Sequence, residues 1–187
     1  KDPFLRLHAV GYMESSSEIS PNSLYASLGY HTKGSAVNSP AYIDDVGNEH
    51  PQQSNSMEFH NLSLGFGVKQ RKEVGANFLS YGFGVRGDFN LSTDFGSLYN
   101  GLEGTERNFT YGLDFNVGFE FPMSELISTT IEIGFSPDLS EQIYIPRQDT
   151  GYNYPDGSGT PVIIPESSIK NIVFEARAGF RFWRKVI

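Results

Sequence analysis

The chain has 187 residues, a formal net charge of −8, 20 glycines, 15 phenylalanines, 10 tyrosines and no cysteine. That length fits one domain, the acidity argues against a phosphate-binding surface and hence against nucleic acid, and the missing cysteine excludes disulfides and thiolate metal sites. No stretch of about 18 apolar residues occurs, which excludes a membrane-spanning helix but not membrane-spanning strands.

Lys1-Asp2-Pro3-Phe4 lacks the charged and apolar regions of a signal peptide, so an exported form is expected to begin after its processing site. Seven segments then read as strands, at about 4–14, 23–37, 57–70, 77–91, 108–121, 127–137 and 171–184. The first two alternate loosely. In the third, Leu62, Leu64, Phe66 and Val68 alternate with Asn61, Ser63, Gly65 and Gly67. The fourth sets Leu79, Tyr81, Phe83, Val85 and Phe89 against Ser80, Gly82, Gly84, Arg86 and Asp88. The fifth is the cleanest, with Phe109, Tyr111, Leu113, Phe115, Val117, Phe119 and Phe121 on one parity and Thr110, Gly112, Asp114, Asn116, Gly118 and Glu120 on the other. Ile131, Ile133 and Phe135 oppose Thr130, Glu132, Gly134 and Ser136 in the sixth, and Phe174, Ala176, Ala178, Phe180 and Phe182 oppose Glu175, Arg177, Gly179 and Arg181 in the seventh.

Side chains of a strand point to opposite faces in turn, so these patterns specify a sheet with one greasy and one polar, glycine-rich face. A soluble lipocalin-like barrel would turn the greasy face inward. The glycines favour the opposite arrangement, because a narrow lumen has little room and a band of large aromatics suits lipid. The connections agree. Short turns are read around Arg71-Lys72-Glu73 and Pro122-Met123-Ser124, whereas 38–56, 92–107 and 138–170 are long loops, the asymmetry of outer-membrane barrels. Tracing directions back from a periplasmic end makes the first visible strand a descending one. The expected fold is therefore an all-β, antiparallel, up-and-down transmembrane barrel of eight strands, seven of them in this chain and the first upstream of Lys1.

Several pieces resemble the PorT-like family of small outer-membrane β-barrels of Gram-negative bacteria: Leu28-Gly29-Tyr30-His31-Thr32-Lys33-Gly34, Tyr81-Gly82-Phe83-Gly84-Val85 and Ala178-Gly179-Phe180-Arg181-Phe182. The first two resemble that family's third and fifth strands, and the last its closing strand. The chain departs from the family in lacking a proline in the strand at 57–70 and in running past the aromatic end through Trp183-Arg184-Lys185-Val186-Ile187. The resemblance implies an eight-stranded barrel in the outer membrane and supplies no catalytic residues.

With the polar face inward, Arg86, Asp88, Asp114, Glu120, Glu132, Glu175, Arg177 and Arg181 form a lumen charge network. Charges taken from water need partners, so Arg86 and Arg177 are each expected to meet at least one of Asp114, Glu132 and Glu175. Eight strands leave a lumen filled by side chains, which favours a plug over a pore. Gly82-Phe83-Gly84-Val85-Arg86-Gly87 matches a dinucleotide-binding string but lies within a strand, where that motif has no meaning. His8, His31, His50 and His60 show no metal-ligand spacing, so neither metal nor cofactor is expected. His60, sharing parity with Leu62, would serve only a lipid-modifying enzyme at the outer rim. The sequons Asn61-Leu62-Ser63, Asn90-Leu91-Ser92 and Asn108-Phe109-Thr110 are chance matches in strands.

The last loop is the candidate recognition surface, with Tyr144, Tyr152, Asn153 and Tyr154 in a Tyr/Ser/Gly/Asn mixture of the kind paratopes use. Within it, 143–146 and 162–165 are expected to pair as a hairpin with Asp156-Gly157 near the tip. Asp44, Asp45, Glu49, Asp94, Glu103, Glu106, Asp138, Glu141, Asp149, Asp156 and Glu166 give the three loops an acidic crown. The expected function is non-enzymatic: an outer-membrane, lipid-embedded structural or accessory subunit of an envelope complex, for example in secretion, that binds a protein partner through its loops. A small-solute channel and a lipid-modifying rim enzyme are the alternatives.

Overall fold

A computed structural model describes residues 8–15, 21–39, 41–43, 49–51, 53–96, 102–153 and 161–182. Its strands are β1 (Ala9–Glu14), β2 (Asn22–Ser39), β3 (Tyr42–Ile43), β4 (Glu49–His50), β5 (Gln53–Val74), β6 (Asn77–Phe95), β7 (Phe109–Pro122), β8 (Ile127–Pro137), β9 (Ile143–Ile145), β10 (Gln148–Asn153), β11 (Pro161–Ile164), β12 (Ser167–Ile169) and β13 (Ile172–Phe182). Seven of them form one antiparallel sheet in the order β1-β2-β5-β6-β7-β8-β13. The remaining six make three two-stranded ribbons, β3-β4, β9-β12 and β10-β11, in the long connections.

A flat sheet of seven strands would hold its two ends about 28 Å apart at the usual interstrand spacing. Here the side chains of β1 and β13 touch: Nη1 of Arg177 lies 2.5 Å from the Tyr12 hydroxyl, and Nη2 of Arg181 lies 2.5 Å from Glu14. The sheet is therefore strongly curled, a half-barrel whose concave face closes on itself through side chains. The main sheet has seven strands with β1 and β13 at the two ends of its order, and the six short strands of the ribbons add to the seven expected in this chain.

The alternation sorts by chemistry in the inverse of a soluble protein. Along β7, Thr110, Asp114, Asn116 and Glu120 are buried while Phe109, Tyr111, Phe115, Val117, Phe119 and Phe121 are exposed. β8 does the same, with Ser128, Glu132 and Ser136 inside and Ile131, Ile133 and Phe135 outside. Convex aromatics also pack against one another along the sheet with their rings tilted, Phe83 on Phe115 at 5.0 Å and Phe135 on Phe174 at 5.0 Å.

Two hairpin details differ from the sequence reading. The β5–β6 ladder continues to the pair Val74↔Asn77, so the turn is Gly75-Ala76 and not Arg71-Lys72-Glu73. Gly75 has φ 65°, the left-handed conformation such a tight turn needs, and glycine adopts it without steric cost. The polar triplet looks like a turn but pairs with Ser80, Leu79 and Phe78. At the other end of this hairpin His60 pairs with Ser92 and Asn61 with Asn90, leaving Leu91 as an extra residue in β6. Beyond that bulge Phe95 packs against Phe59, and Met57, Phe59 and Ile143 form an apolar cluster joined by Leu102, Ile145 and Ile169. The second and third long connections, through Leu102 and through Ile143, Ile145 and Ile169, thus fold onto the extended end of β5 and β6. In the last of them β9 pairs with β12, Ile143↔Ile169, while Gln148↔Ile164 starts the β10–β11 pairing. The expected register, 143–146 against 162–165, is replaced by two successive ribbons, the first of which sets Ile143 opposite Ile169 within the apolar cluster. Asp156-Gly157, the expected tip, lies outside the described residues.

Candidate functional site

The concave face carries the chemistry of this molecule, and glycines give it room. A Cβ at Gly84 would stand 2.3 Å from the Tyr25 hydroxyl, and one at Gly67 would stand 2.6 Å from the Tyr25 ring. With both positions bare, the buried Tyr25 lies across β5 and β6 and donates to Oδ2 of Asp114 on β7 at 3.3 Å.

Charges fill the rest in linked groups. Toward the loop end, Lys33 Nζ sits 2.6 Å from Oδ2 of Asp88 and 2.7 Å from Oδ1 of Asp138, with its side chain wholly buried. Arg86 closes the same group, 2.9 Å from Asp88 and 2.6 Å from Asp138. Arg177 pairs with Glu175 at 2.6 Å and Asp114 at 3.4 Å, and Ser136 donates to Asp114 at 2.7 Å. Toward the hairpin turns, Lys69 joins Glu132 and Glu14, while Glu120 lies 2.8 Å from Arg71 and 3.1 Å from Arg181. Removing an ion from water costs several kcal/mol, and only close opposite charges offset it. The spacing between partners meets that requirement.

Arg86, Asp88, Asp114, Glu120, Glu132, Glu175, Arg177 and Arg181 all lie on this face, but the pairing departs from the sequence reading at Arg86. Its partners are Asp88 and Asp138, and none of Asp114, Glu132 and Glu175. The sequence places Asp138 in the acidic crown. In the structure it follows the last residue of β8, bridges Gly112 and is buried, which takes its charge off the surface. Lys33, Lys69, Arg71, Glu14 and His31 belong to the same network and were missed. Glu14, His31 and Lys33 lie on the two loosely alternating strands, but Lys33 shares the parity of Tyr25 and Gly29, and Lys69 and Arg71 continue the polar parity of Asn61, Ser63, Gly65 and Gly67, signals that would have found them.

His31 holds the most crowded position. Its Nε2 lies 3.1 Å from Oδ1 of Asp88 and touches the Ser63 hydroxyl, which itself contacts that carboxylate. Its Nδ1 faces Oε1 of Glu175 at 3.5 Å, and Nδ1 of His8 lies 3.3 Å from the same oxygen. Serine, histidine and acid do converge, yet a serine nucleophile needs its base on one ring nitrogen and the orienting acid on the other. Glu175 does face the other ring nitrogen, but Ser63 is buried away from any substrate and its hydroxyl is held by the Asp88 carboxylate. At the rim, Nδ1 of His60 lies 2.7 Å from the Tyr30 hydroxyl with the two rings stacked.

Of the loop residues, Tyr144 is half-buried with the Arg107 guanidinium 5.3 Å over its ring, so part of its surface is already used. Tyr152 is 75% exposed, Asn153 ends β10, and Tyr154 lies outside the described residues. Compared with protein-family models, curated proteins and solved structures, the chain matches none.

Proposed function

We propose that this chain is the barrel of a non-enzymatic outer-membrane protein of a Gram-negative bacterium, a structural or accessory component of an envelope complex, for example in secretion, with a closed interior. One observation carries the reading: the exposed convex face is a continuous band of Phe, Ile, Val, Leu and Tyr, while the buried concave face is charged and ion-paired. In water such an arrangement would expose a large apolar surface, which soluble monomers avoid. In a bilayer the same band meets hydrocarbon, and antiparallel strands satisfy their backbone groups laterally. The strand motifs that resemble PorT-like barrels support the same placement.

A charge-filled concave face capped by Met57, Phe59 and Ile143 favours a plug over a conducting path. Contact with partners then falls to the loops, where the exposed Tyr152 supplies an aromatic anchor. Flotation tests the placement: chain refolded in detergent and mixed with liposomes rises with lipid in a density gradient and resists extraction by carbonate. Recovery of folded, monomeric protein in the aqueous fraction would contradict it. Planar-bilayer recording tests the plug, with no conductance steps expected and steady single-channel openings the contradicting result.

A further inference from the structure

We infer that His8, His31 and Glu175 form a binding site for one divalent transition-metal ion, of which zinc is the representative, clasping the two ends of the curled sheet. Donor atoms of the three side chains all lie within 4.8 Å of one another. Zinc bonds of about 2.0–2.1 Å in tetrahedral geometry place neighbouring ligand atoms about 3.3–3.4 Å apart. Glu175 Oε1 lies 3.3 Å from Nδ1 of His8 and 3.5 Å from Nδ1 of His31, which are edges of that size.

The hydrogen-bond pattern points to a cation independently of the spacing. Asp88, ion-paired to Lys33 and Arg86, lies 3.1 Å from Nε2 of His31, so that nitrogen carries the hydrogen. A neutral His31 then turns a bare lone pair from Nδ1 toward Glu175 Oε1, acceptor against acceptor. Both residues are more than nine-tenths buried, and neither of these two atoms makes a hydrogen bond. A proton would join only two atoms, whereas three donors converge here. A carboxylate on the far nitrogen is also the arrangement that orients metal-binding histidines. Arg177 occupies Oε2 of Glu175, leaving Oε1 as a single-oxygen ligand.

Two imidazoles with one carboxylate suit zinc and its first-row neighbours, and do not suit calcium or magnesium, which take oxygen donors. A cavity of about 20 Å³, lined by His31 and Glu175 but not by His8, adjoins two of the three donors and has space for one water. His8 immediately precedes β1, His31 is on β2 and Glu175 on β13, so the ion would tie together strands at opposite ends of the sheet order. The inference stands on side-chain geometry and is independent of the membrane placement.

The full chain, folded in detergent and stripped with chelator, is titrated with zinc and, separately, with cobalt. Wild type is expected to take up one zinc per chain, to show the intense visible absorption of tetrahedral cobalt, and to melt at higher temperature with zinc. His8→Gln, at the more open edge of the site, should weaken uptake by more than the roughly 10–100-fold typical of losing a group that only orients a ligand, and should lose the zinc-dependent thermal shift. Absence of stoichiometric uptake by wild type, which is the outcome for a His31 held as an imidazolium, or equal affinity in His8→Gln, would overturn the inference. Mapping of histidine acylation on wild type needs no variant: zinc should protect His8 but not His60, and equal labelling of His8 with and without zinc would also overturn it.

Discussion

Two stretches of the concave face, below and above the β6 bulge, are filled in opposite ways by the same strands. Below it, β5 and β6 present Ser63, Lys69, Ser80, Arg86 and Asp88 to a charged interior. Above it, β5 presents Met57 and Phe59, and Phe95 of β6 packs with them under the isoleucines of the last loop. The difference teaches what curling imposes. Where the sheet wraps closely on itself, long charged side chains reach across the lumen and pair. Where loop segments fold over its end, apolar side chains are sealed instead, and the single extra residue, Leu91, lets β6 turn Phe95 toward them.

The largest effect is expected below the bulge. Lys33→Met keeps the length of the side chain but removes the cation between Asp88 and Asp138, and unfolding by denaturant in detergent should show a loss of roughly 3–5 kcal/mol. A neutral outcome would mean that water reaches this group. Above the bulge, Phe59→Ala should cost about 3 kcal/mol by transfer and cavity terms, since Phe59 is fully buried. A loss there without change in Lys33→Met would reverse the ranking of the two regions.

On the convex face Val117→Arg should reduce folding stability by about 2–3 kcal/mol in liposomes and much less in detergent, because only a bilayer fixes the depth of that position. Equal effects in both would argue that position 117 never meets hydrocarbon. The smallest effect belongs to deletion of 147–160, which removes most of the β10–β11 ribbon but spares the β9–β12 ribbon beneath it. Stability should stay within about 0.5 kcal/mol while a loop-bound partner is lost from a pull-down. Retention of every partner would show the ribbon to be a solvated cap.

Much of this was legible in the residues. Strict alternation from Phe109 to Phe121 and from Ile127 to Pro137 specified both the strands and their two faces, since the period of a strand is two and each face met one chemistry. The concave charges on those strands followed from parity alone. What stayed hidden depended on distance in the chain. Arg86 meets Asp138 because the residue after β8 folds back against Gly112, and no local pattern encodes that contact. His8, His31 and Glu175 come from three strand regions, so a search for short metal-ligand spacings passes over them. The turn at Gly75-Ala76 was masked by the more polar Arg71-Lys72-Glu73, whose side chains belong to strands that run beyond the apolar band.

The central claim is that the convex face meets lipid, and nitroxide labels at Phe109, Phe115, Phe119 and Phe121 of β7 in proteoliposomes test it most directly. All four positions are exposed and outward-facing. The account predicts high accessibility to oxygen and low accessibility to a water-soluble relaxation agent, with the contrast greatest at Phe115 near the middle of the strand. Comparable, high accessibility to the aqueous agent at every position would contradict it.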